Sequence, residues 1–404
     1  MKIDTRHSLN EALEEAPSTA REAVKTNVPT RTLPPPPDFN RPVYCLLGLP
    51  IDSISMERAV QRIRSAAWLQ RRCFLSTPNL NFLVKSRHNA AFRDSILQSD
   101  LCVADGMPLV WIAAGLDIPI RERIAGSTLF ERISRISHRQ LGVYFFGGPD
   151  GIAAQAATSL NAASAGATCV GYSSPGFGSV DDMSTPMMID NINATRPDFL
   201  VVALGVEKGH AWIRRNFSSL QAPVISHLGA VVNIIAGKIS RAPQWIQDVG
   251  LEWLWRIKEE PTLWKRYASD GAVMLQMIVM HLLPAMYYQR RTAISHARFL
   301  ASTTHIDFHG GACTVTLKGP WNEVNLSGLR KALAAATLVP CPIYLDLNDV
   351  DYLDSATLGL FCLLKGYQNA IGFPMQIIGT GRRVENIFRA HCAAYLLDSE
   401  KSLE

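Results

Sequence analysis

The 404 residues contain eight cysteines but no Cys-x-x-Cys, and no His/Cys cluster with metal-ligand spacing. Zinc-ribbon and dithiol chemistry therefore have no signature here, and the cysteines, most of them inside apolar runs, read as reduced core residues. Charge is also scarce: 19% of residues are charged and the formal net charge is only +5. No dense Lys/Arg tract and no interleaved aromatic platform is present, which argues against nucleic acid as a partner. The acidic, proline-rich start has no apolar stretch after a basic one, so no secretory signal is expected and the protein reads as cytoplasmic. No Asp-x-Asp occurs between Val43 and Arg291. That acidic pair is how many nucleotide-sugar enzymes hold a metal on a diphosphate. No metal or other cofactor is therefore expected, and a bound diphosphate would have to be neutralised by basic side chains or backbone amides. Nor does any Ser/His/Asp ordering stand out.

What is present is core-forming sequence, 48% hydrophobic, long enough for two domains and a tail. Residues 1–42, with Pro34 to Pro37, read as a flexible or extended lead-in. From Val43 short apolar runs (43–48, 73–77, 101–104, 142–147, 168–172, 198–204 and 223–228) alternate with helical periods, among them helices starting at Ser55 and Asn79. This is the βαβ pattern of a parallel sheet covered on both faces, whose ligands sit beyond the carboxyl ends of the strands. Basic residues outnumber acidic ones eight to five between Lys238 and Arg291, a bias suited to a phosphate or an anionic membrane surface. Gly271 to Tyr288 is nearly all apolar. With only that length, and with Gln276, His281 and Pro284 inside it, it reads as a helix lying on a membrane surface or packed on the preceding domain rather than as a span. After a linker near 290–304 the pattern restarts as a small α/β module: strands at 312–317, 343–347 and 375–378, helices from Asn325, Ser355 and Arg383.

Several positions have the chemistry of a site. Ser76-Thr77-Pro78-Asn79 follows a strand, and Thr77 or Asn79 suits both a helix cap and a hydrogen-bond partner at the sheet's edge. Asp105-Gly106 ends another buried strand; a carboxylate there is a general base or a cap. Phe145-Phe146-Gly147-Gly148 runs into an alanine-rich helix, a geometry that turns backbone amides toward a phosphate or else simply makes a tight connection. A dinucleotide site would need an acidic residue near the end of the next strand, where Gly171-Tyr172-Ser173-Ser174 stands instead. Arg121, Arg123, Lys238 and Arg241 are the candidates for neutralising a diphosphate.

In order along the chain, Leu47-Gly48-Leu49-Pro50-Ile51-Asp52, Thr77-Pro78-Asn79, Ala104-Asp105-Gly106-Met107, Glu122-Arg123 with Gly126, Phe146-Gly147-Gly148, Arg196-Pro197-Asp198, Leu204-Gly205, Ala236-Gly237-Lys238 and Arg241-Ala242-Pro243 appear. Gly250-Leu251-Glu252-Trp253, Arg256, Glu260-Pro261 and Trp264-Lys265-Arg266-Tyr267 follow. This set resembles the WecG/TagA/CpsF glycosyltransferases. The resemblance implies a Rossmann-like α/β domain over 43–240 and a helical, membrane-associating appendage and linker over 241–302. It also implies transfer of a hexose or hexosamine, with inversion, from a UDP-sugar to a polyprenyl-diphosphate-linked saccharide at the inner membrane face. Asp105 takes the place of the family's proposed base. Thr77, Asn79, Arg123, Gly147, Gly148, Gly205, Lys238 and Arg241 fall at substrate-binding positions, as do Arg256, Lys265 and Arg266, which match the basic side chains of the appendage. Self-association is compatible with a site completed by such an appendage. Two departures stand out. The family's Gly-x-Pro-x-Gln-Glu-x-Trp is Gly205-Val206-Glu207-Lys208-Gly209-His210-Ala211-Trp212 here, and a family Asp is Asn233, so nucleotide or sugar contacts at those positions do not carry over.

Residues 303–404, through Ile343 to Asp346, Asp354-Ser355 and Gln376 to Gly379, resemble a STAS domain, a small α/β fold of partner binding. The resemblance makes Ser355 a candidate phosphorylation site, with a kinase or a protein partner implied; as a plain helix cap it needs neither. Beside the enzyme stand two other classes: an inactive UDP-sugar sensor signalling through the STAS module, and a nicotinamide-dependent oxidoreductase.

Overall fold

The computed structural model describes residues 33–163, 166–248, 250–291 and 294–398; most of the expected N-terminal lead-in, residues 1–32, lies outside them. Two compact units result, one of them Pro42–Arg290, the other made by the described residues on either side of it.

The first unit opens with a difference from the sequence pattern. The apolar run at 43–48 does not join the main sheet. Strands β1 (Val43–Leu46) and β2 (Leu49–Asp52) pair antiparallel, as a separate hairpin. Leu47 and Gly48 both have positive φ, 47° and 89°, the backbone a two-residue hairpin turn demands, and with no crossover helix between the strands a parallel pair could not form. Asp52 ends the hairpin, buried, and accepts from the Cys102 N–H at 2.7 Å.

The remaining strands are β3 (Cys73–Ser76), β4 (Leu101–Cys102), β5 (Leu141–Gly147), β6 (Ala167–Ser173), β7 (Phe199–Ala203) and β8 (Val224–His227). They form one six-stranded sheet in the order β4-β3-β8-β7-β5-β6, and every pairing in it is parallel. Successive residues feed opposite faces. Leu75, Phe145, Val201 and Val224 enter one apolar cluster, and Phe74, Phe146, Val202 and Ile225 the other. In the second cluster Trp212 stacks on Phe146 at 4.1 Å and satisfies its indole N–H on the Met183 carbonyl at 2.6 Å. Two helices begin at a capping side chain: Ser55 accepts from Arg58 and Asn79 from Phe82, both at 3.3 Å.

After the sheet come short helices at Gln244–Asp248 and Glu252–Glu259, then one continuous helical stretch from Leu263 to Arg291. The expectation of a segment too short to span is therefore corrected. Leu263–Tyr288 is 26 residues of helix, long and apolar enough to cross a membrane by length and composition, and it is mostly exposed. Pro284 does not break it. A single π-helical turn, Ile278–Leu282, precedes the proline, and widening the helix there accommodates the missing N–H and the ring.

In the second unit β9 (Thr303–His309), β10 (Ala312–Lys318), β11 (Ile343–Asp349) and β12 (Met375–Ile378) form a sheet ordered β12-β11-β10-β9. The β9–β10 pair is antiparallel and the others parallel. β9, where the sequence pattern predicts no element, alternates exposed and half-buried residues. Helices Leu326–Ala336, Ser355–Ile371 and Arg382–Ala390 complete the unit.

Candidate active site

The site is assembled where β3 and β4, neighbours in the sheet, reach their carboxyl ends. Their extensions stay hydrogen bonded: Val103 N–H donates to the Ser76 carbonyl at 3.0 Å and Asp105 N–H to the Pro78 carbonyl at 2.7 Å. Thr77-Pro78-Asn79 and Asp105-Gly106 therefore lie side by side. Gly106 has φ +151°, a conformation that side chains with a Cβ rarely adopt, and this glycine turns the chain into the Met107–Gly115 helix; Asn79 is near it, its Cβ 3.8 Å from where a Gly106 Cβ would be.

Opposite Asp105 is the start of the Gly126–Ser134 helix. The Gly126 N–H donates to Asp105 Oδ2 at 3.3 Å. A Cβ at Gly126 would come within 2.7 Å of the Leu228 Cδ2, which would have to shift, and 3.6 Å from the Thr77 hydroxyl. Thr77, buried, thus lies against the same helix start. The loop leading to it is pinned by Glu122, which accepts from the Met56 N–H at 2.9 Å. The next residue, Arg123, forms a two-pronged pair with Glu252, 3.0 and 2.9 Å, with both side chains largely buried. Burial raises the Asp105 carboxyl to about 6; the Gly126 N–H and the charges of Arg123 and Arg256 oppose the rise, and Glu252 adds to it. A half-buried acid with two guanidinium groups in its field is an arrangement for taking a proton near neutral pH beside a developing negative charge.

The structure therefore brings together Thr77, Asn79, Asp105, Arg123 and Arg256. Glu252 belongs to this set and was not singled out from the sequence as a site residue. Its signal was its place in Gly250-Leu251-Glu252-Trp253, but only the fold shows that it faces Arg123.

Gly147, Gly148 and Gly205 lie farther along the same edge, at the ends of β5 and β7. Gly147 has φ +103°, and a Cβ there would press to 2.8 Å on the Ala203 carbonyl. Gly205 starts the Val206–Asn216 helix with open space around it. The departures in that helix fit one another. Glu207 is paired with Lys85 and accepts from Asn89 at 2.9 Å. His210 is buried among Phe74, Phe82 and Phe92, and burial together with neighbouring His227 holds its imidazole well below its ordinary range. Gly209 makes room for His227, whose Cδ2 would be 2.3 Å from any Cβ.

Arg241 is engaged by Glu131, by the Thr128 hydroxyl at 2.5 Å and by Gln247 at 3.3 Å, which anchors the chain after Gly237 to the Gly126–Ser134 helix. Lys238, Lys265 and Arg266 are exposed, Arg266 over the Tyr267 ring at 5.1 Å. Among the described residues no group of three or more His, Cys, Asp or Glu could hold a metal ion. In the second unit Ser355 is 7% exposed. It is the first residue of its helix, after Asp354, which caps the helix through the Thr357 N–H at 2.8 Å.

Residues 44–286 match the model of the glycosyl transferase WecG/TagA/CpsF family, and residues 304–394 match that of the STAS domain. An N-acetylglucosaminyldiphosphoundecaprenol N-acetyl-beta-D-mannosaminyltransferase of Bacillus spizizenii is 26% identical over 197 residues, 48% of this chain and 75% of the relative. A protein of the same name from Staphylococcus aureus is 24% identical over 227 residues, 55% of this chain and 85% of the relative.

Proposed function

Since the chain belongs to the WecG/TagA/CpsF family and is a glycosyltransferase carrying a C-terminal STAS domain, we propose that it moves a sugar from a UDP-sugar to a polyprenyl-diphosphate-linked saccharide. The relatives' names, which specify an N-acetylmannosaminyl donor group and a diphosphoundecaprenol acceptor, support this substrate class. In the step proposed, an acceptor hydroxyl oxygen attacks the anomeric carbon from the face opposite the nucleotide. The Asp105 carboxylate takes the hydroxyl proton, the bond from the anomeric carbon to the diphosphate oxygen breaks, and UDP leaves with that electron pair, inverting the anomeric centre. Arg123 and Arg256, together with backbone N–H groups at Gly148 and at the helix after Gly205, stabilise the departing diphosphate in place of a metal. Thr77 and Asn79 hold the sugar beside Asp105.

The carrying observation is the Asp105 carboxylate, held by the Gly126 N–H at the tips of two adjacent parallel strands, with Arg123 and Arg256 in its field. The acceptor's lipid fits the far end of the chain's first unit. Exposed Trp245, Trp253, Trp264, Leu275 and Met280 alternate there with exposed Lys258, Lys265 and Arg266, the composition of a peripheral contact with the inner, anionic leaflet. The STAS module recruits a protein partner, and phosphorylation of Ser355, which is nearly buried, would change that docking only where the first turn of its helix opens.

The test is a donor screen: UDP-glucose, UDP-N-acetylmannosamine, UDP-N-acetylglucosamine and UDP-glucuronic acid, each with a lipid-diphosphate-N-acetylglucosamine acceptor, scored by UDP release. Release with one donor supports the transferase. Binding of UDP with no release from any donor would favour a sensor, the reading toward which the altered Glu207, Gly209 and His210 lean.

A further inference from the structure

The Leu263–Met277 helix has only two buried residues, and one of them is a carboxylate, Asp270, 5% exposed. Burying an acid on a helix that otherwise meets solvent costs free energy that a leucine in the same place would not. The acid has a dedicated partner. Asn81 Nδ2 donates to its two oxygens at 3.4 and 3.2 Å. Arg266, one turn earlier on the same helix, and Lys85, one turn beyond Asn81, add positive charge; burial still pushes the carboxyl above its ordinary range.

The location of Asn81 gives this contact its consequence. It follows by two residues Asn79, which caps the Leu80–His88 helix beside Gly106. Farther along the same helical stretch, Leu282 and Met286 pack over Gly115, at 3.8 and 4.0 Å from where its Cβ would be. Gly115 ends the helix that starts directly after Asp105-Gly106. The long helix therefore touches both helices that start directly after the site residues Asn79 and Asp105-Gly106. Apolar contacts such as that at Gly115 tolerate sliding and rotation. The Asn81–Asp270 pair among them does not, because every other register leaves the buried carboxylate without its amide partner.

We infer that Asp270 is a positioning residue for the acceptor side of the reaction. Through Asn81 it fixes the register of the 263–291 helix on the two helices that present Asn79 and Asp105, coupling whatever the exposed face of that helix binds to the geometry at Asp105. The inference rests on Asp105 as the base.

The experiment compares the full-length protein with Asp270→Ala, with Asp270→Leu, which fills the space without a polar group, and with the exchange Asn81→Asp/Asp270→Asn, which reverses the hydrogen bond. Two readouts are taken: KM for the lipid-linked acceptor against affinity for the UDP-sugar, and amide hydrogen exchange across 263–277. Both single variants should raise the acceptor KM by about tenfold or more while leaving UDP-sugar affinity unchanged. Exchange in the helix should accelerate in Asp270→Ala, and the exchanged pair should recover both properties. Wild-type acceptor kinetics in the single variants, or an equal loss of donor binding that the exchanged pair does not restore, would overturn the inference. Exchange is measured without turnover, so a protein that releases no UDP would refute the role of Asp105 while the register of the helix is still read.

Discussion

Changing the Arg123–Glu252 pair should move the pH dependence of the reaction in opposite directions, depending on which partner is removed. Asp105 is raised from 3.8 to about 6, mainly by burial; Glu252 adds to the rise and Arg123 opposes it. The base works as the carboxylate, so kcat/KM should climb with pH through about 6 and then level off. At one pH unit below that value only about a tenth of the enzyme is in the working form. Glu252→Gln removes a neighbouring negative charge and should shift the acid limb to lower pH. Arg123→Ala removes a positive one and should shift it higher. Each charge is a lesser cause than burial, so each shift should be about half to one unit, on the order of 1 kcal/mol. Arg123→Ala should in addition lower the plateau by about 100-fold, as expected for a group that stabilises a leaving diphosphate, whereas Glu252→Gln should leave most of it. The assay is UDP release against pH for the three proteins at subsaturating acceptor. Acid limbs that coincide, or that shift in the same direction in both variants, would refute the electrostatic account of Asp105.

Three further outcomes follow from the same structure. Gly209→Ala should destabilise the protein by about 1–3 kcal/mol in chemical denaturation, because the new Cβ would lie 2.3 Å from the His227 ring; an unchanged midpoint would mean that the helix shifts freely. Lys265→Glu/Arg266→Glu should weaken sedimentation with anionic vesicles at low salt, by about 1 kcal/mol for each cation lost and more for the charge reversal, without altering activity on a short-chain soluble acceptor; equal loss in both assays would put these residues in the site. Ser355→Asp should lower the melting temperature, since a second carboxylate would be buried next to Asp354, whose own carboxyl burial already raises above its ordinary range; an unchanged melting temperature would show that the helix start opens readily.

Legibility in the sequence followed the range of the interactions. The parallel sheet could be read because its strands are short apolar runs of a composition that only a doubly covered sheet explains. Thr77, Asn79 and Asp105 could be placed because strand ends followed by caps are local features. The 43–48 run has the length and composition of a main-sheet strand, and nothing local reveals the two positive φ angles at Leu47 and Gly48 that fold it back. β9 is not legible because Thr-Thr-His-Ile-Asp-Phe-His has few apolar residues to alternate, as befits an edge strand. The full length of the long helix is hidden because its first turns, Leu263 to Asp270, read as polar, and because Pro284 signals a break that the π turn absorbs. The pairing of Arg123 with Glu252, 129 residues apart, and that of Arg241 with Glu131 needed the fold. A motif places an arginine near a site without saying which acid already holds it.

The most direct test of the account is turnover by Asp105→Asn with the donor that the screen identifies. A base at this position predicts UDP release reduced by about 100-fold or more, with UDP-sugar affinity within about twofold of wild type, because the amide keeps the shape and can still accept from the Gly126 N–H. Near wild-type release from this variant would contradict the proposal that this carboxylate takes the acceptor proton.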